Sequence, residues 1–383
     1  MKNKKTVFQL QIQGYPIKDW IFTKGVNMKI RLGCIGLGGI ACGGHLPQLK
    51  ECEDFILTAI CDIDEARLAT VGEEYHIAPS RRYTDYHKLI ACEDIDAVDI
   101  CTPNDCHFEI AMEAARAGKA ISLEKPVTLN EEEARQLRDS ILEAGAANMV
   151  CFSYRYKAAA RYARALVQKG AIGRLHHVDF QYFQGWGLEE EKVPLVWRFQ
   201  KTRSGSGALG DLGSHGLDLV RFVTGKEYKS VIGQSKTIVK ERELVDEGGS
   251  KSSGIVDVDD YCNCMAEMEE DIAVSFLITR LAFGRGNYQR MELYGSKGAI
   301  IYKLDEIPGL DELDVCTLSG ENERIYRSVP IPEEYKKLQL QDFADIINKK
   351  SDGLSASIED GFINQRLIDC ILLSQEKKSW IEL

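Results

Sequence analysis

Between Met28 and Cys151 the apolar residues fall into short continuous runs, separated by longer stretches of helical period. "MKIRLGCIG", "FILTAICD", "DAVDICT", "KAISLE" and "NMVCFS" are too short for core helices and rich in Ile, Val and Cys, so they predict buried strands. Helices are predicted at about Ile40–Leu49, Asp64–Tyr75 and Tyr86–Ala91, and over "NDCHFEIAMEAARAG" and "NEEEARQLRDSILEAG". Asn104-Asp105 and Asn130 are the expected N-caps, and Gly118 and Gly145 the expected stops. Strand and helix in alternation predict an α/β Rossmann-type domain, a doubly wound parallel sheet, over residues 28–152.

After Tyr154 the pattern changes. A helix at about Ala158–Lys169 leads to the strand "RLHHVDFQYFQ", a Gly/Ser-rich stretch and a helix near Leu209–Thr224. Strands then follow in series: "VIGQSKTIV", "DYCNCMAEME", "IAVSFLITRLAF", "YQRMELYGS" and "GAIIYKL", several meeting at tight turns. Helices at about Glu334–Lys349 and Ile358–Gln375 close the chain. Residues 153–383 are therefore expected to form an α+β domain on a large, mostly antiparallel open sheet. "KERELVDEGGSKSSG" is expected to be an exposed, mobile loop. Residues 1–27 read as an N-terminal extension without the apolar core and cleavage site of a secretory signal.

A net charge of −11 excludes an electrostatic nucleic-acid or anionic-membrane binder, and no apolar run approaches a membrane span. The twelve cysteines are scattered and mostly strand-embedded, which reads as small buried hydrophobes in a reducing, cytoplasmic setting. No Cys/His cluster has ligand spacing, so no metal is expected.

The candidate chemistry lies at strand ends. "CIGLGGIA" places Gly36, Gly38, Gly39 and Ile40 between the first strand and its helix, with Ala41 in the third small position. This is either a plain tight turn or a pyrophosphate cradle on a helix N-terminus. Asp62 at the end of the second strand favours the cradle, since a carboxylate there can accept the ribose hydroxyls. No basic residue adjoins it in sequence, which favours NAD over NADP, although Arg67, Arg81 and Arg82 are not far along the chain. "CTPNDCH" brings Thr102, Pro103, Asn104 and His107 to the same sheet edge, as cofactor-lining residues or as a turn and cap. In "LEKP", Glu124 and Lys125 end a strand that Pro126 stops. "GALGDLGSHGLDL" spaces Asp211, His215 and Asp218 at i, i+4 and i+7, one face of a helix, either a solvated stripe or an acid–base set. Trp197-Arg198 and Arg155 are further candidates, each equally readable as a core aromatic or a surface charge.

In their order along the chain, "GLGGIA", Asp62, "VDICTPNDCH", "LEKP", "FSYRY", "WR", "GALGDLGSHGLDL" and the closing "QDFADII…SIEDGFINQRLIDCILLSQEKKSWIEL" resemble the Gfo/Idh/MocA family, the glucose–fructose oxidoreductase and inositol dehydrogenase group. The resemblance implies NAD as cofactor and Lys125, Asp211 and His215 as the catalytic group. It also implies cofactor contacts from Glu124, Lys125, Trp197 and Arg198, and a homodimer or homotetramer through the C-terminal sheet. Lys125, Arg155, Asp211 and His215 would meet the substrate, a sugar, cyclitol or sugar derivative. A secondary hydroxyl would be oxidised by hydride transfer, His215 or Lys125 taking its proton. The alternatives are a redox-neutral NAD-dependent hydrolase or lyase acting by oxidation and elimination, and a non-catalytic NAD-sensing protein.

Overall fold

The computed structural model describes residues 29–244, 252–306, 309–318 and 324–383. The extension 1–27 lies outside them. The first layer is a six-stranded, all-parallel sheet built from β1 (Ile30–Ile35), β2 (Phe55–Cys61), β3 (Arg82–Tyr83), β4 (Ala97–Ile100), β5 (Ala120–Leu123) and β6 (Asn148–Val150). Its order is β3-β2-β1-β4-β5-β6, so the chain reverses direction across the sheet between β1 and β4. A reversal of this kind opens a crevice at the carboxyl ends of the strands.

Helix α1 opens with a π-helical turn, Ala41–His45, before its α-helical turn Leu46–Gln48. It is followed by α2 (Glu65–Glu74), α3 (Tyr86–Ile90), α4 (His107–Arg116) and α5 (Glu131–Ala144). Asn130 caps α5 by accepting from the Glu133 amide, and Gly145 ends it at φ 61°. Asn104 does not cap α4. It lies in a 3-10 turn, Asn104–Cys106, and its amide donates to the Ser204 carbonyl at 3.0 Å.

A 3-10 turn at Ser153–Tyr156 leads into α6 (Ala158–Gln168) and β7 (Leu175–Phe183). The short α7 (Lys201–Ser204) precedes a second π turn, Leu209–Gly213, which runs directly into α8 (Ser214–Thr224). The second sheet takes in β8 (Tyr228–Lys236), β11 (Tyr261–Met268), β12 (Ile272–Thr279), β13 (Tyr288–Gly295), β14 (Gly298–Asp305), β15 (Leu310–Thr317), β16 (Arg327–Ser328) and β17 (Ile381–Glu382). With β7 this makes nine strands in the order β16-β15-β14-β13-β7-β12-β11-β8-β17, antiparallel except for β7 with β12. The two ends of the expected loop instead pair as a hairpin, β9 (Glu241–Glu243) with β10 (Ser253–Ile255). The alternation of buried and exposed residues there was too short to read as strand, and residues 245–251 lie outside the described set.

The closing helices are α9 (Gln339–Ile347) and α10 (Ile358–Lys377). The expected start of α9 at Glu334 is a separate 3-10 turn, Glu333–Tyr335, because Lys336 and Leu338 are extended. One face of the second sheet packs Val178, Phe180, Phe276 and Met291 against Leu217 and Val220 of α8 and Ile368 and Ile371 of α10. Helix α10 also sends Ile358 and Phe362 into the core of the first sheet beside Val127 and Val150, and Phe343 of α9 stacks on Phe55 at 5.6 Å. The two layers therefore share core residues from the end of the chain.

Candidate active site

A cleft of about 1070 Å³ runs along the carboxyl edge of the first sheet to the ends of β7, β13 and β14. Gly36, Gly38, Gly39, Ile40, Asp62, Thr102, Pro103, Asn104, Glu124, Lys125, Trp197, Arg198, Asp211 and His215 all line it.

At one end lies the glycine turn. Gly36 has φ +88°, and a Cβ there would meet the Cys101 and Thr102 backbone at 2.8 Å, so the fold itself requires glycine. A Cβ on Gly38 or Gly39 would meet nothing within 4 Å. Their bareness serves no internal packing and leaves the backbone open to a ligand. Asp62 accepts from the Leu37 amide at 2.7 Å, tying β2 to the turn. Arg67, one helical turn on, reaches Asp62 at 3.1 Å, so a basic residue does adjoin this carboxylate in space. Arg81 and Arg82 turn away to Asp94 and Glu73. The Thr102 hydroxyl is buried and has no partner among the described residues. An open cradle after β1, flanked by an acidic side chain at the end of β2 and an orphaned hydroxyl after β4, fits a dinucleotide.

At the other end are Lys125, Asp211 and His215. Lys125 follows β5, and its peptide bond to Pro126 is cis. Its Nζ donates to the Asp211 carbonyl at 2.9 Å and to Oδ1 at 3.2 Å. Asp259 fixes the π turn that carries Asp211 by accepting from the Gly207 and Leu209 amides at 2.7 and 2.8 Å. Burial opposes the charge on Asp211, but Lys125 and Arg198 hold its carboxyl down at about 2. Arg198 is 3.9 Å away and lies over the Trp197 ring. His215 is boxed by the rings of Tyr154 (4.6 Å between centroids), Phe152 and Tyr182 (each 6.3 Å). Burial in this box, and then Lys125, pushes its imidazole well below the ordinary range, and Nδ1 has no partner among the described residues. A neutral imidazole beside an ammonium and a carboxylate can take a proton from a substrate hydroxyl while the ammonium steadies the oxygen.

Three sequence expectations end elsewhere. Asp218 does not share the cleft with Asp211 and His215. The π turn takes Asp211 out of α-helical phase with Asp218, and within α8 the three-residue step from His215 carries Asp218 to the side that meets Arg155. Asp218 instead takes Arg155 in a bidentate pair at 2.5 and 2.8 Å. Arg155 is 5% exposed, also 3.2 Å from Asp360, and is not brought to the cleft. Its neighbour in the same 3-10 turn, Tyr154, faces the cleft in its place. His107 is wholly buried, its ring nitrogens 2.8 Å from the Pro126 carbonyl and 2.9 Å from that of Thr102. It braces the two cleft-lining loops from behind.

The cleft also has a polar wall. Tyr154 and Tyr182 share a hydroxyl hydrogen bond of 2.6 Å, Gln184 reaches Tyr182 and Asn287, and Asn287 donates to Glu306 at 2.7 Å. Gln184, Asn287 and Glu306 lie just beyond β7, before β13 and beyond β14, where the register sets Phe183 opposite Tyr288 and Tyr288 opposite Asp305. "FSYRY" contained Tyr154, but only the register unites the other three.

The family model "Oxidoreductase family, NAD-binding Rossmann fold" matches residues 30–152, and "GFO/IDH/MocA C-terminal domain" matches residues 160–301. Levoglucosan dehydrogenase of Pseudarthrobacter phenanthrenivorans is 34% identical over 351 residues, which cover 82% of this chain and 88% of that protein. The chain belongs to the Gfo/Idh/MocA oxidoreductases. Inositol 2-dehydrogenase of Rhizobium meliloti is 28% identical over 93% of this chain and 100% of its own length. A solved levoglucosan dehydrogenase in complex with NADH and L-sorbose superposes with a TM-score of 0.83 at 31% identity, covering 92% of this chain and 98% of that one. This family member is thus an NAD-dependent oxidoreductase whose first domain is the NAD-binding one. Among the described residues no helix is long and apolar enough to cross a membrane.

Proposed function

We propose that this enzyme oxidises a secondary hydroxyl of a pyranose sugar, anhydro-sugar or cyclitol, reversibly, with NAD. The observation that carries the reading is the Lys125–Asp211–His215 group at the far end of a cleft whose near end is the glycine turn. Bound NAD supplies the hydride acceptor. Gly36, Gly38, Asp62 and Thr102 would hold it, with Glu124, Trp197 and Arg198 towards its nicotinamide end. Lys125 hydrogen-bonds the substrate oxygen and stabilises its developing negative charge, Asp211 orients Lys125, and neutral His215 accepts the proton. Tyr154, Gln184, Asn287 and Glu306 offer donors and acceptors to the remaining hydroxyls. The levoglucosan and inositol dehydrogenases among the relatives support a compact ring polyol.

The deciding experiment incubates the protein with NAD and a panel of hexoses, anhydro-sugars, inositols and glycosides while absorbance of NADH and product are both followed. NADH forming mole for mole with a keto product is expected. Product accumulating on catalytic NAD without net NADH would replace this reading with oxidation and elimination.

We also propose a homodimer or homotetramer through the second sheet, in a reducing cytoplasmic setting that suits twelve free thiols. One face of the sheet is covered by α6, α8 and α10, while the other presents Met265, Ala273 and Leu277 in exposed rows. Light scattering should give a multiple of 42.9 kDa, and Met265→Glu with Leu277→Glu should reduce it to one chain.

A further inference from the structure

Beneath the cleft floor lies a buried charged cluster that the proton transfer does not use. The π turn of α1 ends on His45, whose ring points under the sheet edge. Its Nδ1 is 2.9 Å from Asp99 on β4, and its Nε2 is 3.0 Å from Oε1 of Glu124. All three residues are at most 7% exposed. The other oxygen of Glu124 accepts from the Lys125 amide at 3.1 Å, and Glu124 itself lines the cleft. Both ring nitrogens thus face carboxyl oxygens, a geometry that two ionised carboxylates satisfy when both nitrogens carry a proton. Facing the ring from the remaining elements are the thiols of Cys101 after β4 (3.4 Å from Nδ1) and Cys151 after β6, with Cys34 on β1 next to Asp99 and Cys101. Burial drives the Cys151 thiol well up, and a hydrogen bond with the Cys34 thiol together with burial does so for Cys101, so neither supplies a competing anion. Cys151 and Asp99 approach His45 closely enough to suggest metal ligands, but both ring nitrogens are already engaged.

We propose that His45 is a positioning residue for the nicotinamide. Clamped between Asp99 and Glu124, it keeps Glu124 as a fixed anion in the cleft wall beside Lys125, and that anion favours the cationic oxidised nicotinamide over the neutral reduced one. The inference rests on the NAD reading of the cleft. Burial alone would strip the ring of its proton, but Asp99 and then Glu124 hold its pKa well above the ordinary range, and the imidazolium in turn holds Asp99 below its own. Without the cation, two buried carboxylates would face each other, and one of the pair must take up a proton as pH falls.

The test measures dissociation constants of NAD+ and NADH, by calorimetry and by NADH fluorescence, for wild type, Glu124→Gln, His45→Gln and the double variant. The range runs from about pH 6 to about pH 9, spanning the ordinary histidine transition. Glu124→Gln should shift the preference towards NADH by about tenfold at every pH, as loss of a nearby charge in a partly buried site requires. His45→Gln should move the preference towards NADH at the acid end, by no more than the Glu124→Gln shift, and recover towards wild type at the alkaline end. The double variant should equal Glu124→Gln. A wild-type preference in His45→Gln at every pH, or additive effects in the double variant, would overturn the proposal.

If His45→Gln fails to fold, wild-type protein with 15N-labelled histidine carries the test. One of the seven rings should keep both N–H protons at about pH 9, far above the usual histidine value. Seven neutral rings would sink the idea. Wild type that binds neither NAD+ nor NADH removes the cofactor reading and this proposal together. Wild type that binds both while His45→Gln is indifferent removes only the proposal.

Discussion

His215 is kept neutral by the aromatic faces around it, and this has a measurable consequence for the oxidation of alcohols. A base must be unprotonated to act, and burial has moved this ring below the ordinary value of about 6.5. Activity should therefore persist below that pH in wild type. Tyr154→Ala admits water to the ring, so the acid limb of kcat/KM should rise towards about 6.5. Tyr154→Phe keeps the ring face and should leave the limb where it was. An unmoved limb in Tyr154→Ala would mean that another group titrates. The same burial links to stability. The folded state binds fewer protons than the unfolded chain, so this contribution is present above about 6.5 and is lost as pH falls below it. Lys125→Met, which removes the cation but keeps the stem, should retain NAD affinity while kcat falls by about 10²–10⁴-fold. Near-normal turnover would remove Lys125 from the chemistry.

At the scale of elements, the glycine turn and the π turns decide what reaches the cleft. Gly36 and Gly38 sit two residues apart, yet they are needed for different reasons. Gly36→Ala puts a methyl group into the Cys101–Thr102 backbone at a positive φ, so thermal stability should fall sharply. Gly38→Ala meets no protein atom, so it should melt near wild type and lose NAD affinity instead. Calorimetric melting and NADH titration separate the two. If Gly38→Ala bound NAD normally, the cradle would lie elsewhere. The π turns Ala41–His45 and Leu209–Gly213 are the two found among the described residues, and they deliver His45, Asp211 and His215 to one region. Glycine-rich sequence marks both places, but whether a helix takes an extra residue into one turn depends on what it packs against.

Across the whole molecule, the Arg155–Asp218–Asp360 cluster joins the exit of the first sheet to α8 and α10. Breaking it leaves a buried carboxylate uncompensated, so Arg155→Leu should destabilise the fold by about 3–5 kcal/mol in denaturant titration. KM for the sugar should stay close to wild type in the protein that remains folded. A selective rise in KM with unchanged stability would return Arg155 to the substrate site. The alternating apolar runs were enough to fix the parallel sheet, its helices and the strand ends bearing Gly36, Asp62, Thr102 and Lys125, because local periodicity and turn chemistry act over a few residues. Asp211 and His215 share one short motif, but spacing left them as either a solvated stripe or an acid–base set, and the family resemblance singled them out. Local pattern could not tell Tyr154 from Arg155 within one 3-10 turn, or separate Asp218 from its helix neighbours. Nor could it join His45 to Glu124, or Gln184 to Asn287 and Glu306. Those choices rest on burial, helix phase and strand register, which exist only once distant segments have packed together.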